Sequence, residues 1–117
     1  MSNFKRLIVW QKAHLMAKDA IRAATGLRSR DNGFLRIQII RAAASVPTNI
    51  VEGSGQESSK DFVRYLRYAL NSANELEYHW ILAHDIRAIR SDDFDRLAVQ
   101  TTEIQRMLNG LIRKLRS

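Results

Sequence analysis

A chain of 117 residues with 45% apolar side chains has the size of one domain, 1–117, and can bury a core without covalent staples. It contains no cysteine, which excludes a disulfide framework, thiolate zinc sites and thiol nucleophiles, and points to the cytoplasm rather than an oxidising compartment. The net charge of +7 is uneven: residues 1–51 carry nine Lys/Arg against two Asp/Glu, residues 52–105 six against ten, and residues 106–117 four against none. Such a distribution suits a surface for polyanions, and equally an ordinary basic protein with solvated charges.

The N-terminal apolar residues are interrupted by Gln11, Lys12 and His14, so they form no signal-peptide core, and no run approaches membrane-spanning length. From Ile8 to Thr25, Trp10, Ala13, Ala17, Ala20 or Ile21, and Ala24 recur at three- and four-residue steps, the stripe of an amphipathic helix that Gly26 then stops. The polar GLRSRDNG segment reads as a surface connection, and a second helix begins near Phe34. Pro47 lies inside that helix, where it removes a backbone donor and crowds the carbonyl of Ala43. A kink is expected unless the helix breaks, with Thr48 or Ser45 helping to satisfy the freed carbonyl. Gly53-Ser54-Gly55 reads as a hinge.

Ser58, three residues before Asp61, resembles a capping box. The apolar repeat Phe62, Leu66, Ala69, Ala73, Leu76, Trp80, Ala83 then predicts a third helix running from Ser58 to Arg90, about thirty residues and roughly 45 Å long. Ser91 followed by Asp92 and Asp93 reads as the cap and first turn of a fourth helix. Its seam is Phe94, Leu97, Thr101, Ile104, Leu108, Leu111 and Leu115, and Arg113, Lys114 and Arg116 face the negative end of its dipole. Four helices, short connections and no strand pattern define an all-α, antiparallel up-down four-helix bundle with a long third helix and a proline-kinked second one.

On the second helix Gln38, Arg41, Ser45, Asn49 and Glu52 fall on one narrow face, and Ser72 and Glu75 share a face of the third. This seam is read either as a structural polar network or subunit interface, or as a site for a ligand or partner. No enzyme pattern emerges. His79 and His84 are five apart, Glu75 and His79 lack the Glu-x-x-His repeats of di-iron bundles, and the Gly-Ser-Gly link lacks the Gly-Lys-Ser/Thr ending of a phosphate loop. Ser45 and Ser72 have no base to activate them. Neither catalysis, nor a metal, nor a cofactor is expected.

The strings LIVWQKAHLMA, QIIRAAASVPTNIVEGSG, Lys60-Asp61-Phe62 with YLRYALNSANELEY, and EIQRMLNGLIRKL together span nearly the whole chain. In these the sequence resembles the four-helix bundle proteins named after reading frames in 23S rRNA intervening sequences, departing at Val51 where that family usually has alanine. The resemblance implies a homopentameric ring. It also implies a relation to the accessory proteins of diversity-generating retroelements, basic pentamers that engage nucleic acid and a reverse transcriptase.

An up-down topology gathers both termini and the link between the second and third helices at one end. That end collects Lys5, Arg6, Lys12, Lys60, Arg64, Arg113, Lys114 and Arg116 against Glu52, Glu57 and Asp61. The other mixes Arg22, Arg28, Arg30, Arg36, Arg87 and Arg90 with Asp31, Asp85, Asp92, Asp93 and Asp95. The leading expectation is a non-enzymatic oligomer that binds RNA, or other structured nucleic acid, through the more positive terminal end. The alternative is a ring-shaped scaffold for a protein partner, since Tyr65, Tyr68, Tyr78 and Trp80 cannot all occupy one narrow core stripe.

Overall fold

The computed structural model describes residues 3–27 and 32–117. Arg28, Arg30 and Asp31, placed above at the end away from the termini, lie outside the described residues, as does half of the connection predicted around them. A single 3-10 turn, Phe4–Arg6, leads into α1 (Ile8–Thr25), followed by α2 (Gly33–Ser54), α3 (Ser59–Asp85) and α4 (Ser91–Arg116).

Most of the buried face of α1 is alanine: Ala13, Ala17, Ala20 and Ala24, with Val9 and Met16. Met16 belongs to the core and Ile21 does not, being 37% exposed. Gly26 ends the helix as expected, its N–H reaching the carbonyls of Arg22 and Ala23. It does so at φ −91°, without the left-handed conformation that usually makes glycine the stop.

Through Pro47 α2 is continuous, so the helix does not break there. The hydroxyl of Thr48 donates to the carbonyl of Ala44 (2.7 Å), not to that of Ala43, and Ser45 bonds elsewhere. The hinge reading of Gly53-Ser54-Gly55 is overturned: the helix runs through Ser54, and Gly53 is buried. A Cβ on Gly53 would lie 2.8 Å from Cβ of Tyr65 and 2.9 Å from the Phe62 ring. This glycine is there because α2 and α3 approach too closely for a side chain.

The start of α3 carries the N-cap half of a capping box. Ser58 Oγ accepts from the Asp61 N–H (3.1 Å) and donates to the Asp61 carboxylate (3.0 Å). Its end comes five residues earlier than the pattern predicts. Arg87 adopts φ 60°, its N–H donates to the His84 carbonyl (3.0 Å), and the Ala88 N–H donates to the Ala83 carbonyl (2.8 Å). That is a Schellman stop with arginine in the left-handed position, and Ala83 and Ala88 are both buried beneath it. The cap of α4 is Arg90, not Ser91, and its side chain makes no capping bond. Asp92 and Asp93 occupy the first turn as expected, and Asp92 accepts from the Asp93 N–H (2.9 Å).

Pairings between neighbouring helices run in opposite chain directions. On α3 and α4, His84 stacks on Phe94, whereas Asn74 and Glu77 meet Gln105. On α1 and α4, Asp19 pairs with Arg96 and Lys12 with Glu103. Each helix packs on two others in the order α1, α2, α3, α4 and back to α1, with no packing across the diagonal among the described residues. The bundle measures 45 × 20 × 20 Å, about the length a 27-residue helix supplies. Its centre is filled by Trp80, Met16, Ile39, Ile50, Leu66, Leu76, Leu97, Ile104 and Leu108. The lower seam of α4 turns slightly, so that Ile112 is buried while Leu111 and Leu115 are half-buried. Among the described residues no helix is long and apolar enough to cross a membrane.

Candidate nucleic-acid interface

The polar seam of α2 divides in two. Ser45 and Asn49 are half-buried and form a network with α3: Ser72 donates to Ser45 Oγ (2.9 Å), and Asn49 donates to both Ser45 Oγ (3.0 Å) and the Ser45 carbonyl (2.9 Å). These hydroxyls and this amide satisfy one another across the helix pair, as partly buried polar groups must. Arg41 and Glu52 are exposed, and Gln38 is half-buried on the same helix. Glu75 does not join the network but pairs with His79 Nε2 (3.3 Å). His14 stacks on Trp10 and His84 on Phe94, so each histidine is occupied within its own neighbourhood. No three His, Asp or Glu side chains converge among the described residues.

The cations predicted at the terminal end are only partly brought together. Lys12 is engaged with Glu103 at 3.2 Å. Lys5 and Arg6 lie on the 3-10 turn, and Arg113 and Lys114 are exposed on the last turn of α4. Lys60, Arg64 and Arg116 converge on a groove of about 730 Å³ where the first half of α3 meets the end of α4. Arg67 and Asn71, which the sequence pattern alone does not single out, and Tyr68, which it assigns to protein docking, line it too. A helical projection of α3 would have found them, since Lys60, Arg64, Arg67 and Asn71 follow one another at steps of four, three and four.

The groove is positive because its one carboxylate is committed. Asp61 accepts from the Ser58 hydroxyl and lies 3.6 Å from Arg64. Among the described residues no carboxylate lies within 4.0 Å of the Lys60, Arg67 or Arg116 side-chain nitrogens. Arg64 is fixed by aromatics: its guanidinium sits 4.7 Å from the Tyr65 ring centroid and donates to the Tyr68 hydroxyl (3.4 Å). That hydrogen bond is the main reason its pKa rises above the ordinary arginine value. Tyr68 packs edge-on against Tyr65 at 5.5 Å yet is 43% exposed. Val63 and Leu115 give the groove an apolar part. Of the four aromatics that could not share one stripe, Trp80 is buried, Tyr65 half-buried, and Tyr68 and Tyr78 exposed.

The arrangement of helices has a solved counterpart. A protein of unknown function from the S23 ribosomal protein family of Bacteroides thetaiotaomicron is 28% identical and superposes with a TM-score of 0.84, over 90% of this chain and 98% of that one. No curated protein matches the sequence. Residues 5–110, all four helices apart from the last turns of α4, match the family described as 23S rRNA-intervening sequence protein. On that match the chain belongs to the 23S rRNA-intervening sequence protein family.

Proposed function

We propose that this protein is a non-enzymatic, oligomeric nucleic-acid-binding bundle, and that RNA is its ligand. The observation that carries the reading is the groove at the terminal end, where Lys60, Arg67 and Arg116 face solvent without carboxylate partners among the described residues. Phosphates meeting such cations release their condensed counterions, which gives affinity without reading base sequence. The exposed Tyr68 beside these cations can stack on an unpaired base, which favours RNA over duplex DNA. The test replaces Lys60, Arg67 and Arg116 together with glutamine. RNA binding at low salt should fall by an order of magnitude or more, while the melting curve, since Lys60, Arg67 and Arg116 are exposed, stays in place. Unchanged binding would remove the groove from the reading.

The oligomer, a ring of five by the family resemblance, draws support from large apolar side chains left in water. Phe34 is 76% exposed, Ile37 58% and Val99 70%. The same side chains favour the second reading, a scaffold that docks a protein. Partners captured from cells and retained after nuclease treatment would support the scaffold, and partners lost on nuclease treatment would support RNA binding.

A further inference from the structure

We infer that the groove takes a single-stranded stretch of RNA, with one base stacked against Tyr68, rather than a duplex. The inference rests on the nucleic-acid reading above and names the form of the ligand. A surface that reads only duplex phosphates needs cations and no apolar part. This groove has Val63, Leu115 and a 43%-exposed tyrosine among its cations. A paired base keeps its faces inside the helical stack, whereas an unpaired one offers a π-face to an aromatic ring.

Tyr68 is also held ready. Its ring meets Tyr65 edge-on at 5.5 Å and 84°, and its hydroxyl accepts from Arg64 at 3.4 Å, so stacking on it needs little further ordering. Arg67 and Asn71, one residue before and three after, flank the ring on α3. They supply a cation for the adjacent phosphate and an amide for a base edge or a 2′-hydroxyl.

The test is fluorescence anisotropy at low salt with a labelled single-stranded oligouridylate and with an RNA duplex of the same length. The single strand should bind more tightly. Tyr68→Leu should weaken single-strand binding on the order of tenfold while leaving its salt dependence unchanged, and Tyr68→Phe should restore it. Circular dichroism melts of each variant establish that the bundle is intact. If the leucine variant fails to fold, the comparison of the two RNAs on the unaltered protein decides the matter. Duplex binding as tight as single-strand binding, or an intact Tyr68→Leu variant that binds as well as the parent, overturns the inference while leaving the nucleic-acid reading standing. No binding of either RNA at low salt overturns both.

Discussion

A methyl group at Gly53 would meet Cβ of Tyr65 at 2.8 Å, and that atom is anchored to the α3 backbone and cannot swing away. Gly53→Ala should therefore destabilise the bundle by about 1–3 kcal/mol, outweighing alanine's better helix propensity, and lower the thermal midpoint by several degrees. Gly110 provides the contrast, because nothing but the flexible tip of Arg113, at 3.9 Å, approaches its Cβ position. Gly110→Ala should raise stability by roughly 0.5–1 kcal/mol. Arg87 is the third informative residue. It holds the left-handed position of the Schellman stop at φ 60°, a conformation that costs a side-chain-bearing residue about 1–2 kcal/mol. Arg87→Gly relieves that cost while adding entropy to the unfolded chain, so a net gain of about 0.5–1 kcal/mol is expected in chemical denaturation.

Between the helices, the ends carry the energetic detail. Ser58→Ala removes the acceptor for the Asp61 N–H and should cost about 1 kcal/mol. Asp92 is held below its ordinary pKa of 3.8, first by the Asp93 N–H and then by Arg90. A lowered folded-state pKa means that its contribution is complete above the ordinary value and disappears as pH falls through the lowered one. Asp92→Asn should thus lower the thermal midpoint at neutral pH and leave it unchanged in strong acid. Helix starts were legible in the sequence because Ser58 caps the Asp61 N–H and Asp92 accepts from the Asp93 N–H in the first turn of α4. The end of α3 was not, since a Schellman stop built on arginine carries no glycine to mark it. Gly53 was misread for a related reason: a glycine needed for a close approach and one needed for a bend look the same until the neighbouring helix is in place. The basic end was legible as a net charge. The groove is not, because distance from a terminus does not show that Arg67 and Tyr68, more than two turns into α3, line the same groove as Arg116.

For the whole molecule, no residue of the conspicuous QIIRAAASVPTNIVEGSG stretch lines the groove. Its Ser45 and Asn49 bond to Ser72 and to each other, and Gly53 admits α3. The proposed RNA-binding groove lies instead where α3 begins and α4 ends. The central claim is that the three groove cations without a carboxylate partner among the described residues, Lys60, Arg67 and Arg116, bind the phosphates of RNA. The most direct measurement is the dependence of RNA affinity on salt. The logarithm of the association constant for a single strand should fall linearly with the logarithm of salt concentration, with a slope of about −2 per groove, and flatten toward zero when Lys60, Arg67 and Arg116 are replaced by glutamine. A slope near zero in the unaltered protein, or one that the triple substitution leaves unchanged, would contradict it.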